Sequence, residues 1–218
     1  DIMFLFSKFD SDINKIAGSK NSYNVITGLQ SNDNIYLLKN KAKKIKNNLL
    51  RNGAKKIVCI MDENSSEDSR WHTGHDLQKE NYSFILEKVL EIPWLGVVFK
   101  PKKSNTLRKR LGSINNLLML AEATGRCVLL EESGKYVSSI PAILGGLIAD
   151  VTIHGHLSAG TAAIECASLG KPTLLIDREG TPFSKLSQLP EGSVVFKDWG
   201  SALIALINYF KNNKFNSK

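Results

Sequence analysis

Residues 150–177 read DVTIHGHLSAGTAAIECASLGKPTLLID, and the order of apolar, small and polar residues in this stretch decides the fold. Val151, Thr152 and Ile153 form a β-branched run that predicts a short strand. Residues 154–161, HGHLSAGT, supply the small residues a tight strand-to-helix turn requires. From Thr161 onward Ala162, Ala163, Ile164, Cys166, Ala167 and Leu169 predict a helix. Gly170 stands where a left-handed cap belongs, and Lys171-Pro172 ends the helix. Thr173–Ile176 then predicts a second buried strand. A unit of this kind directs the unpaired N–H groups and positive dipole end of its helix at a point beyond the strand's carboxyl end, which attracts phosphate. Gly155 and Gly160 are expected to let a ligand approach the backbone, and Ser158 and Thr161 to add hydroxyls. Glu165, about one turn on, is expected to accept from a ribose. His154 and His156 flank Gly155, and either can donate to a phosphate oxygen or be satisfied by a backbone carbonyl. The plainer alternative makes Ser158 or Thr161 an N-cap and leaves Glu165 solvated.

Working outward, strand and helix patterns alternate. Residues 35–51 carry Ile35, Leu38, Ala42, Ile45 and Leu49 at helical spacing, stopped by Asn52-Gly53. Residues 57–61 are a continuous apolar run, as in a buried parallel strand. A helix is expected over 77–90, a strand over 96–100 closed by Pro101, and a helix from Thr106 or Ile114 to Ala123. A strand over 127–130 and a short helix over 141–148 containing Gly145-Gly146 come next. Beyond Ile176, residues 193–196 predict a strand and 199–210 a helix. About six alternations without a hairpin predict an α/β chain: a Rossmann-like, doubly wound parallel sheet of about six strands, with ligands beyond the strands' carboxyl ends. Residues 1–34, polar and small between scattered apolar groups, read as an irregular segment or linker ahead of a domain over 35–218. The opening at Asp1 suits a fragment, or a tagged or processed chain.

With 42% hydrophobic residues the chain has the composition of a globular protein with one substantial core. No apolar run reaches the ~18 residues of a membrane span, and the first residues lack the basic leader of a signal peptide. Cys59, Cys127 and Cys166 lie in apolar contexts and read as reduced, unpaired residues of a cytoplasmic protein. The net charge of +8 is concentrated: residues 39–56 carry eight basic residues and no acid, and residues 100–110 carry six. No nucleic-acid motif or aromatic platform accompanies these runs, so nucleic acid is not an expected partner. Solvated helix faces explain them, as does attraction to an anionic donor or to the inner face of a membrane.

Several loops fall at strand ends. The long polar loop 62–76 holds Arg70, His72 and His75. The two histidines are the candidate catalytic residues, meeting a donor phosphate or sugar across a cleft, unless the loop is simply surface. His-x-x-His followed by Asp76 is a weak ligand pattern without cysteines, and no metal is expected. Lys100-Pro101-Lys102-Lys103 follows a strand directly. There Lys100 and Lys102 can set positive charge against a phosphate, or the turn is merely a solvated basic one. Glu131 follows the strand at 127–130, and Arg178 the strand at 173–176.

The stretch 150–177 resembles the nucleotide-binding segment in the carboxyl-terminal domain of GT-B glycosyltransferases and of the related UDP-N-acetylglucosamine 2-epimerases. The resemblance is carried by the turn Ser158-Ala159-Gly160-Thr161, by Glu165, and by Ser168-Leu169-Gly170-Lys171-Pro172 before a hydrophobic strand. Epimerases usually show two adjacent glutamates; here Ile164 holds the first of those places and the turn is a residue longer. The resemblance implies that the turn and helix start hold a nucleotide-sugar phosphate and that Glu165 binds the ribose. It implies that the loop of Glu131 lines the base pocket and that the loop of Arg178 holds sugar or ribose. The Lys100 turn is similar to Lys-Pro strand ends of capsule and surface-polysaccharide glycosyltransferases, without their histidine. The implied activity is the donor-binding half of a glycosyltransferase in surface-polysaccharide synthesis, with a UDP- or CMP-linked sugar as substrate and no cofactor. The mechanism is expected to be metal-independent, with the helix dipole and basic side chains stabilising the leaving phosphate. A glycan acceptor and an upstream GT-B domain are the implied partners. A nucleotide-sugar 2-epimerase-like enzyme and a non-catalytic nucleotide-binding module are the alternatives.

Overall fold

The computed structural model describes residues 1–28, 35–63, 65–67, 74–131, 140–157, 160–178, 180 and 184–212. The first of these are not irregular, contrary to the expectation from composition. β1 (Ile2–Leu5), α1 (Lys8–Ile16) and β2 (Tyr23–Ile26) form a βαβ unit whose two strands pair in parallel. Ser7 and Asp10 close a reciprocal cap at the start of α1, Asp10 N donating to Ser7 Oγ at 3.3 Å and Ser7 N to Asp10 Oδ2 at 2.9 Å. The local capping signal was legible, but residues 2–5 and 23–26 are too short to stand out as strands by periodicity. Asn24 donates to Ser11 Oγ, so its side of the small sheet faces α1. Ile2, Phe4, Tyr23 and Val25 alternate onto the other side, where each is exposed.

The remaining elements follow in alternation: α2 (Ile35–Arg51), β3 (Lys56–Met61), α3 (His75–Glu91), β4 (Leu95–Lys100), α4 (Leu107–Leu111), α5 (Ile114–Ala123), β5 (Cys127–Leu129), α6 (Ala142–Ile148), β6 (Val151–His154), α7 (Thr161–Ser168), β7 (Thr173–Ile176), β8 (Val195–Phe196) and α8 (Trp199–Asn212). The helix expected from Thr106 or Ile114 is thus two helices, broken where Gly112 takes φ 56°. The six strands β3 to β8 form one parallel sheet in the order β5-β4-β3-β6-β7-β8. The chain crosses from one side of β3 to the other between β5 and β6, which makes the gap between β3 and β6 the switch point of a doubly wound sheet.

Strand alternation divides the core into two layers. Val58 and Ile60 of β3 pack with Tyr82, Leu86 and Val89 of α3, Leu118 of α5 and Leu206 of α8. Ile57, Cys59 and Met61 pack with Ala42 and Leu49 of α2, Leu144 and Ile148 of α6 and Cys166 of α7. The Gly145-Gly146 pair inside α6, costly for helix propensity, is explained by this second layer. A Cβ on Gly145 would stand 2.5 Å from Cys59 Sγ, and one on Gly146 2.9 Å from Cys166 Sγ. Only glycines let α6 lie this close to the sheet and to α7. Among the described residues no helix is long and apolar enough to cross a membrane.

Candidate functional site

β3, β4 and β6 end on the same rung, because Met61 pairs with both Lys100 and His154. Just beyond that rung, at the switch point, lies a cavity of about 410 Å³. Its walls are Met61, Asp62 and Glu63 at the end of β3, Lys100 and Lys102 at β4, residues 140–142 at the start of α6, and Thr161, Ala162 and Glu165 on α7. Four residues singled out in the sequence, Lys100, Lys102, Thr161 and Glu165, therefore meet in one place.

Lys100 is the unusual member. It is only 9% exposed, and among the described residues its ammonium makes no hydrogen bond or ion pair. Burial pulls its pKa down, while the carboxylates of Glu165, Glu63 and Asp62 hold it up. Burial in turn raises the pKa of Glu165, against the pull of Lys100. The two side chains thus sense each other across the cavity without touching. Lys102 is more exposed and pairs with Glu63 at 2.7 Å.

α7 brings its amino end to the same cavity. Gly160 is its N-cap, without a side-chain cap bond, and Ile164 N donating to Gly160 O is the first turn's bond. The amides of residues 161–163 have no acceptor within the helix. The two glycines of the turn differ in their surroundings. A Cβ on Gly160 would fall 2.0 Å from Leu186 Cδ1, and one on Gly155 would fall 3.5 Å from Asn81 Nδ2. Gly160 therefore makes room for the Leu186 side chain, whereas a methyl group at Gly155 would make only ordinary contacts.

His154 is completely buried. Its Nδ1 accepts the His156 amide at 3.2 Å, which leaves the ring proton on Nε2, and Nε2 has no partner among the described residues. Burial first, and the nearby charge of His156, Lys100 and Lys102, push its pKa down to about 4, against the opposing His156 backbone hydrogen bond. It is a neutral imidazole at physiological pH, so any donation to an anion is through a neutral N–H.

His75 heads α3 and its Nδ1 lies 2.6 Å from Ser65 Oγ. Ser65 Oγ donates to Gln78 Oε1 at 2.6 Å and accepts from Arg110 at 3.2 Å. Gln78 Nε2 donates to Asp62, as does Tyr82 Oη at 3.2 Å. His75 is therefore the outer end of a polar chain leading to Asp62, and it does not line the cavity. Asp62, buried and pushed up to about 6 chiefly by desolvation, was not singled out in the sequence. The available signal was an acidic pair directly after a buried strand. Glu131 lies outside the cavity, bound to Arg108 at 3.0 Å. Arg178 also lies outside it, donating to Asn81 Oδ1 at 3.1 Å and pairing with Glu80 on α3. Arg70, His72, Ser158 and Ala159 fall outside the described residues.

Comparison with solved structures finds two that are similar to this chain. One is the C-terminal domain of a glycosyl transferase group 1 family protein (LpcC) from Francisella tularensis, with TM-score 0.52 and 11% identity over 85% of this chain and 89% of that one. The other is the N-terminal domain of Candida albicans trehalose-6-phosphate phosphatase, with TM-score 0.46 and 13% identity over 95% of this chain and 50% of that one. No family model matches the chain, and no curated protein matches it. The likeness to the group 1 domain is one of fold alone: an α/β unit built on a Rossmann-like parallel sheet.

Proposed function

We propose that the chain is the donor-binding half of a glycosyltransferase of GT-B type, taking a UDP- or CMP-linked sugar for surface-polysaccharide synthesis. One observation carries the reading: Lys100, a largely buried side chain whose ammonium makes no hydrogen bond or ion pair among the described residues, lines the same cavity as the amino end of α7. A charge on a largely buried side chain gains from an opposing one, and a phosphate between Lys100 and the amino end of α7, whose first amides have no acceptor within the helix, supplies it. In this reading Thr161 Oγ1 adds a donor to the phosphate and Glu165 accepts from ribose hydroxyls. Lys102, already paired with Glu63, contributes longer-range attraction. The amides and Lys100 stabilise the phosphate as it leaves the sugar, and this chain's part is to hold and orient the donor.

The reading also calls for a second domain carrying the glycan acceptor. The apolar face of Ile2, Phe4, Tyr23 and Val25 supports it, because parallel sheets are ordinarily covered on both faces. Titration calorimetry of the chain with UDP, CMP, GDP and their sugars tests the proposal. A UDP or CMP compound that binds wild type and loses at least about tenfold in affinity on Lys100→Met is the expected result. The absence of binding by any of these, or equal binding to the variant, overturns it.

A further inference from the structure

The longest basic stretch of the chain plays no part in the cavity. It belongs to α2, a helix of 17 residues and so about 25 Å long. Leu38, Ala42, Ile45 and Leu49 turn toward the core and α6. The outward arc carries Lys39, Lys41, Lys43, Lys44 and Arg51, all exposed, and no acidic residue. Lys46, at the edge of the buried face, is neutralised by Asp150 at 2.8 Å. Among the described residues none of the five outward cations is in an ion pair. Their charge is therefore available to an external anion.

The orientation of α2 gives this face a position relative to the cavity. Residues 52–55 are all that separate it from β3, so the helix runs back antiparallel to the strand. Its amino end then lies at the carboxyl edge of the sheet, beside the amino end of α6 that walls the cavity. At that end stand Tyr36 and Leu37, 68% and 60% exposed. A row of lysines headed by a tyrosine and a leucine matches a lipid interface: lysines are attracted to an anionic headgroup layer, and the amphipathic tyrosine settles at its apolar boundary. A nucleic-acid surface would ask for arginine forks or several stacking aromatics, and this face has one arginine and one aromatic.

We infer that the outward basic face of α2 docks on an anionic lipid surface. The inference goes beyond the donor-site reading and stands on α2 alone. The partner is a membrane rich in acidic lipid, held by charge and anchored at one end by Tyr36 and Leu37. The helix's own apolar face stays in the core.

Co-sedimentation of the full chain with vesicles tests this. Vesicles of phosphatidylcholine alone are compared with vesicles containing about 30% phosphatidylglycerol. The chain is expected to bind the anionic vesicles only, and to be released by about 0.5 M salt. Lys39→Glu/Lys43→Glu/Lys44→Glu is expected to lose about 100-fold in partition coefficient, from about fivefold per lysine before reversal is counted. Tyr36→Ser/Leu37→Ser is expected to weaken binding while leaving its salt dependence. A charge-matched variant on another surface, Lys8→Glu/Lys15→Glu/Lys20→Glu, is expected to bind like wild type. Circular dichroism and thermal midpoints confirm that each variant is folded. Failure of the folded wild type to bind anionic vesicles overturns the proposal. So does an equal loss in both triple variants, which would make net charge the cause. Tight binding to a single-stranded RNA oligonucleotide with none to vesicles overturns it in favour of a nucleic-acid surface.

Discussion

Gln78 donates through Nε2 to both carboxylate oxygens of Asp62, at 2.9 and 3.0 Å. Ser65 holds the amide in this orientation by donating to Gln78 Oε1, so a fixed dipole faces a carboxylate that burial makes reluctant to ionise. The pKa of Asp62 rises from 3.8 to about 6. The folded protein therefore binds more protons than the unfolded chain between these values, and this group's contribution falls as pH rises through the window. The span corresponds to a loss on the order of 3 kcal/mol above pH 6.

His154 acts in the opposite direction. Its pKa is lowered from 6.5 to about 4, so the unfolded chain binds the extra proton and stability is lost as pH falls through the window, again on the order of 3 kcal/mol. The two groups oppose each other between pH 4 and 6. Urea unfolding across that range is expected to show wild type with the flattest profile. Asp62→Asn is expected to lose stability steeply on acidification, and His154→Gln to gain relative to wild type. Parallel profiles for all three proteins would contradict the assignment.

Gly145→Ala puts a methyl group 2.5 Å from Cys59 Sγ, inside a strand–helix contact that cannot open locally. A loss of about 1–3 kcal/mol in chemical denaturation is expected, although alanine is the better helix former by about 1 kcal/mol. A gain in stability would mean that α6 rides further from the sheet.

Lys100 and Lys102 are two residues apart and both line the cavity, but their surroundings differ. Lys102→Met removes an exposed ion pair and is expected to change nucleotide affinity by no more than about threefold. Lys100→Met removes the charge of a largely buried side chain in the cavity wall and is expected to cost about tenfold or more. Calorimetry on the pair separates local charge from the built site.

Arg178 is already engaged by Glu80 and Asn81. Arg178→Ala is expected to leave nucleotide affinity within about twofold while lowering stability by about 1 kcal/mol, the scale of a part-exposed pair and its hydrogen bond. A large loss of affinity with unchanged stability would show that the arginine leaves α3 to meet the ligand.

Strand and helix order from residue 35 onward was legible in the sequence, because apolar runs, glycine stops and prolines act on their immediate neighbours. Ile35–Arg51 and Thr173–Ile176 have the bounds their patterns predict. The small βαβ unit was missed, since four-residue strands among polar groups carry too little period to read.

By itself the sequence determined a doubly wound parallel sheet and the strand-to-helix step from β6 to α7, both set by local periodicity. Tertiary structure alone decided which charges meet. Lys100 belongs to a run that looks like a solvated basic turn, yet register with Met61 and His154 sinks it beneath the edge of the sheet and opposite Glu165 on α7. The same packing gave the space at Gly160 to Leu186 and bound Arg178 to α3. Burial and partnership depend on elements far apart in the chain, and the free energy of a charged side chain depends on burial and partnership far more than on its neighbours in sequence.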